Sequence, residues 1–202
     1  MRIFLTICLF IITGPFVWAR STFLPASFQA DFQQVHKSSI TGKEKKSKGS
    51  LGYKFPGHIR FETTYPDNIV FVSNPDKTWY YTAPFMEGEP GELTVSKSNK
   101  NSLVKFFDLL KRGLKSNKMY TVKSNKTGVL LSFTKKSKVE LGLNSAQLNF
   151  KGPVAFKNIT EVILSKTDKT KVKLELKQVK PEINFSKSHF IFSEPKNTRV
   201  SH

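Results

Sequence analysis

The sequence predicts a mainly β protein with one or two helices, built as a single long antiparallel sheet that curls to bury an apolar face. Three observations carry this. In residues 49–84 (GSLGYKFPGHIRFETTYPDNIVFVSNPDKTWYYTAP) apolar and polar side chains alternate at Leu51, Tyr53, Phe55, then Ile59, Phe61, then Trp79, Tyr81. Pro56, Pro66 and an Asn74-Pro75-Asp76 turn break the alternation, as expected of consecutive strands with one greasy face. Such alternation recurs along the chain in about ten segments, and only one segment has convincing helical spacing. No internal repeat and no linker divides the chain.

Residues 1–19 read as a secretory signal peptide. Arg2 precedes an apolar run over residues 3–12, a Gly14-Pro15 break and the small-residue end Val17-Trp18-Ala19. The run is too short to span a bilayer. Cleavage near Ala19 leaves residues 20–202 as a single domain. The only cysteine, Cys8, lies inside the apolar run rather than at the cleavage point, so it does not fit a lipid-anchored N-terminus. The mature chain then has no thiol, disulfide or cysteine-based metal site.

The first mature strand covers residues 28–35 (FQADFQQV), with Phe28, Ala30 and Phe32 on one face. Residues 41–48 form a lysine-rich hairpin loop, and strands follow at 49–55, 58–64, 69–73 and 78–82. Residues 87–92 (EGEPGE) are a loop by composition. The helix spans residues 101–113. Asn101 or Ser102 caps it, Lys111 and Arg112 sit in its last turn, and Gly113 supplies its left-handed end. Leu103, Phe106, Phe107, Leu110 and Leu114 make its apolar stripe. Further strands are expected near 119–124, 128–134, 138–143, 145–150, 158–165 and 171–178, before Phe190, Phe192, Pro195 and Val200 close the chain. A sheet this long either closes or needs a cover, and the aromatic-rich helix is the cover.

Catalytic constellations are missing. His36, His58, His189 and His202 have neither a neighbouring carboxylate nor metal-ligand spacing, and there is no nucleophile elbow or phosphate-binding glycine loop. Glu87, Glu89 and Glu92 lack the spacing of a calcium loop and read as a solvated turn. We therefore expect no enzyme activity, no cofactor and no metal. The formal charge is +18, or +17 without Arg2. Such a surface serves solubility, an anionic membrane face or an acidic protein partner. Export and the lack of recognition motifs argue against nucleic acid. The eighteen phenylalanines either fill the core or line a lipid-sized cavity, and composition alone favours the plainer, core-filling reading.

The order of motifs resembles the periplasmic lipoprotein carrier family LolA. That family shows F-x-A-x-F-x-Q, then G-x-L-x-x-K-R-P, an aromatic strand, P-D-x-x-I-x-V-S-D-G and L-W-x-Y-x-P. Here the counterparts are Phe28, Ala30, Phe32 and Gln34; Gly49-Ser50-Leu51; Lys54-Phe55-Pro56; Ile59-Arg60-Phe61; Pro66-Asp67; Val70-Phe71-Val72-Ser73; and Trp79-Tyr80-Tyr81 followed by Pro84. The ending Phe190, Phe192, Pro195, Val200 resembles the family's F-x-F-x-P-P-x-x-x-V.

The resemblance implies an incomplete, unclosed β-barrel with an α-helical lid. It reverses the reading of the aromatics, because related proteins bind lipoprotein acyl chains on this face. The implied cavity is lined by Phe28, Phe32, Leu51, Tyr53, Phe55, Ile59, Phe61, Trp79 and Tyr81, under a lid helix carrying Leu103, Phe106, Phe107 and Leu110. The implied function is a monomeric periplasmic carrier that takes acylated lipoproteins from an ABC-type inner-membrane release complex to an outer-membrane acceptor. The alternatives are a carrier of other lipids or glycolipids and a LolA-like sensor. Two departures stand out. The family's lid-latching Arg is replaced by Phe55, so the lid is expected to close by apolar contact of Phe55 with Phe106 or Leu110. No amphipathic helix precedes Phe28, where Pro25 discourages one.

Overall fold

The computed structural model of the chain describes residues 22–37, 42–97 and 102–202; the expected signal peptide and its cleavage point lie outside these. Among the described residues twelve strands form one sheet. They are β1 (Ser27–Lys37), β2 (Glu44–Lys54), β3 (His58–Tyr65), β4 (Ile69–Ser73), β5 (Lys77–Thr82), β6 (Gly91–Lys97), β7 (Tyr120–Ser124), β8 (Gly128–Phe133), β9 (Leu143–Phe150), β10 (Ile159–Lys166), β11 (Lys171–Pro181) and β12 (Thr198–Ser201). Two helices, α1 (Ser102–Leu110) and α2 (Lys135–Leu141), interrupt them.

The strand order is β12-β6-β5-β4-β3-β2-β1-β11-β10-β9-β8-β7. Two meanders, β1–β6 and β7–β11, meet where β1 pairs antiparallel with β11. This order places α1. It joins β6, next to one edge, to β7, which is the other edge, so the connection must cross the sheet. The sheet is curled and unclosed, with α1 against its inner face. There the main hydrophobic cluster gathers Phe28 and Phe32, Leu51 and Tyr53, Ile59, Leu131 and Phe133, Ala146 and Leu148, Val162, Leu174 and Leu176 around Val104, Phe106, Phe107 and Leu110.

Three expectations fail locally. The strand expected at 138–143 is the helix α2 over its first part. Thr134 enters extended, and Gly142 closes the helix at φ 64° with its N–H on the Lys138 carbonyl. The Lys138-Val139-Glu140-Leu141 alternation mimics a strand, but on the helix Ser137 and Leu141 are buried four residues apart while Val139 is 83% exposed. The lysine-rich segment 41–48 is ordered strand from Glu44 onward and pairs with β1 out to Lys37. The acidic loop gives way to β6 at Gly91, where a Cβ would lie 2.6 Å from the Tyr81 hydroxyl, so only glycine fits under that ring.

Candidate functional site

Antiparallel register decides which face each strand residue takes. Phe28 pairs with Tyr53 and Ala30 with Leu51. Tyr53 in turn pairs with Ile59 and Leu51 with Phe61, and Phe61 continues to Phe71 and then to Tyr80. These residues share the face that α1 covers, with Tyr80 at its margin and exposed. Phe28, Leu51, Tyr53 and Ile59 have no exposed surface, and Phe32 has almost none. Phe61 is half-buried and stacks on Phe32 with ring centroids 4.0 Å apart.

The helix fills the concavity with aromatic contacts. Phe107 lies 5.3 Å from both Phe28 and Tyr53, and Phe106 meets Phe107 at 5.5 Å and Phe133 at 6.4 Å, centroid to centroid. Leu110 is buried with them, and Leu103 packs at the margin. The helix leaves through Gly113, at φ 85°, whose N–H donates to the Leu110 carbonyl. The Tyr120 hydroxyl donates to the Gly113 carbonyl at 2.5 Å. Residues 22–26 before β1 contain no helix, but Leu24 is buried in the same cluster.

Three residues of the expected cavity stand elsewhere. Trp79 pairs with Val72, and Val72 with Arg60, so Trp79 and Tyr81 lie on the outer face. There residues 183–195 cross the sheet: Tyr81 packs on Phe192 at 5.1 Å, and Arg60 and Asn74 donate to the carbonyls of His189 and Phe190. The third is Phe55. Strand β2 ends at Lys54, and Phe55 is 42% exposed beside the end of α1. Phe106 and Leu110, its expected partners, are buried in the cluster. It lines a cleft of about 520 Å³ with Leu109, Leu141, Lys105 and Arg112. The Lys111 ammonium sits 5.7 Å from its ring centroid.

Polar contacts also tie down the C-terminal end of α1, and the sequence reading missed them. The Tyr53 hydroxyl donates to Asp108 Oδ1 at 2.6 Å, and the Gly57 N–H donates to the same oxygen at 3.2 Å. Burial, reinforced by the Asp108 carboxylate that accepts its proton, holds the Tyr53 hydroxyl far above its ordinary pKa. Lys111 Nζ donates to the Leu24 carbonyl at 2.9 Å and to Thr22 Oγ1 at 3.1 Å. Burial lowers the Lys111 pKa. The available signal was an aspartate within a short, otherwise apolar stretch of the helix, directly after Phe107.

Fold and site together define a single-sheet, helix-lidded half-barrel with an aromatic concavity. The chain belongs to the LolA family: the description "Outer membrane lipoprotein carrier protein LolA" matches residues 25–193. Among proteins it resembles are the outer-membrane lipoprotein carrier protein of Francisella tularensis subsp. tularensis, 28% identical over 86% of this chain and 80% of the relative, and that of Francisella philomiragia, 29% identical over 76% and 71%. Solved structures similar to it include an uncharacterized conserved protein from Thermus thermophilus (TM-score 0.48, 12% identity, 88% of this chain and 91% of the other). A LolA superfamily protein from Nitrosomonas europaea also matches (TM-score 0.44, 11% identity, 83% and 91%).

Proposed function

We propose that this chain, exported by a signal peptide in residues 1–19 and acting as one domain over residues 20–202, is a non-catalytic lipoprotein carrier of the periplasm. It would accept acylated lipoproteins at an inner-membrane release complex of the ABC type and pass them to an outer-membrane acceptor. The cargo's acyl chains would occupy the concave face now filled by α1, between Phe28, Phe32, Leu51, Tyr53, Ile59 and Phe61. The observation that carries this reading is that one short helix supplies the apolar filling, Phe106, Phe107 and Leu110, while polar contacts at its rim set its closed position.

Acyl chains gain roughly 0.8 kcal/mol per buried methylene, so a multiply acylated anchor needs a shield to cross water. Release needs a moderate grip. A helix that refills the concavity provides it, because departing chains are replaced by Phe106 and Phe107 rather than by water. The test uses the purified mature chain and an apolar dye such as bis-ANS. A triacylated peptide should displace the dye stoichiometrically and expose α1 to proteolysis at positions protected in the empty chain. No displacement at saturating peptide refutes the carrier reading.

A further inference from the structure

The loop between β5 and β6, residues 83–90, presents Phe85, 89% exposed, next to Met86, 58% exposed. No other large hydrophobic side chain among the described residues is as exposed as Phe85. The loop is pinned. The Ala83 N–H donates to the Asn68 carbonyl at 2.9 Å, tying it to the β3–β4 turn. Asn197 Nδ2 donates to the carbonyls of Gly88 and Glu89, and the Asn197 carbonyl accepts from the Gly91 N–H. These bonds fix the backbone and leave the two apolar side chains projecting. A pinned convex tip differs from a groove: it enters another phase rather than receiving a ligand.

The same end of the sheet carries a second aromatic and a group of amines. Lys48 pairs with Tyr65 and Ile69 with Thr82, so the β1–β2 hairpin, the β3–β4 turn and the β5–β6 loop share one rim. Tyr65 is 55% exposed, with Lys48 Nζ 5.5 Å from its ring centroid. Lys45 and Lys46 are exposed on the hairpin beyond it. Exposed rings beside long amines are the side-chain set of a membrane–water boundary, where rings sit at headgroup depth and ammonium groups reach phosphate. The mature net charge of +17 (+18 less Arg2) adds attraction to an anionic surface. Glu87 and Glu89 follow the tip and oppose deeper entry, so the contact is shallow and reversible.

We infer that this rim docks on anionic phospholipid bilayers, with Phe85 and Met86 entering the boundary between headgroups and acyl chains. The inference is independent of the lid and of any cargo. Its test is the mature chain with Trp79→Phe and Phe85→Trp, in which the indole introduced at the loop tip is the sole tryptophan reporter, mixed with vesicles of phosphatidylethanolamine and phosphatidylglycerol. Emission should shift to the blue and be quenched by brominated acyl chains, and high salt should reverse both. Phe85→Ser with Met86→Ser should lower partition onto these vesicles about tenfold or more while the melting temperature stays unchanged. Unshifted emission overturns the proposal. So does equal partition of the serine variant, or a variant that binds vesicles normally but loses binding to a purified protein partner. No cargo is present, so failure here leaves the carrier reading standing.

Discussion

Replacing Tyr53 by Phe removes one hydroxyl and keeps the ring between Phe28 and Phe107. What disappears is the 2.6 Å bond to Asp108 Oδ1, while the Gly57 N–H remains on that oxygen at 3.2 Å. A hydrogen bond to a charged acceptor contributes about 1.5–3 kcal/mol. With the second donor retained, a loss of about 2 kcal/mol is expected, and at 1.4 kcal/mol per decade the open fraction of the lid rises about thirtyfold. Native-state hydrogen exchange reads this directly. Amides of α1 such as Phe106 and Leu110 should exchange about thirtyfold faster in Tyr53→Phe, while sheet amides such as Leu51 and Leu148 exchange as before. If helix and strand amides accelerate together, α1 opens only with the whole core and is not a lid. If none accelerates, the hydroxyl does not hold the helix, and Asp108→Asn should be equally silent.

The same bond has a pH signature. Tyr53 has its pKa raised by burial and then by Asp108, so its contribution is complete below the ordinary 10.0 and is lost as pH rises above that value; melts from pH 9 upward should fall more steeply for the wild type than for Tyr53→Phe. Phe61→Glu should block acyl-chain uptake, since Phe61 faces α1 half-buried, and a charge there opposes lipid entry. Trp79→Lys, on the outer face, should leave uptake intact and lower stability by about 2 kcal/mol in chemical denaturation through loss of ring packing there. His189 is held below its ordinary pKa of 6.5 by burial first and Arg60 second, against Glu62, with His58 on the far side of Phe190. Its contribution is therefore present above pH 6.5 and lost as pH falls below it, and His189→Gln should flatten that part of the stability profile.

The inner wall was legible because its strands carry one phase each. Leu51 and Tyr53, or Ile59 and Phe61, admit a single choice of buried face, and turns at Pro56 and Pro66 separate them. Strand β5 reads Thr-Trp-Tyr-Tyr-Thr, with aromatics in both phases, so its face is set by pairing through β4, which only the fold supplies. The outer cover was illegible for a related reason. Phe185, Phe190 and Phe192 have no period, and what they cover becomes visible only once Trp79 and Tyr81 turn outward. The helix α2 was hidden by alternation of Lys138-Val139-Glu140-Leu141, which satisfies both periods over so short a stretch. Asp108 was visible as the one acid of the helix, but not its partner, which lies 55 residues away.

A polar closure contact at Tyr53, besides whatever Phe55 adds at the end of α1, changes how cargo would work the lid. A latch made by Phe55 against the helix would have been apolar, and acyl chains would compete with it for the same surface. In the structure the two tasks are divided. Phe106 and Phe107 fill the space, and Asp108, with Lys111 one turn on, fixes the position of the helix through oriented hydrogen bonds. Tyr53 belongs to both sets, because its ring packs against Phe28 and Phe107 and its hydroxyl meets Asp108. An acyl chain entering beside that ring must displace Phe107, and any tilt of the ring spoils a bond that tolerates little misalignment. On the proposed carrier reading, entry of cargo and release of the lid would then be one event. On the same reading, the departure of cargo would let Phe107 return as the Tyr53 ring recovers the orientation in which its hydroxyl reaches Asp108, so an empty carrier would close through this bond in place of the arginine the family resemblance implies.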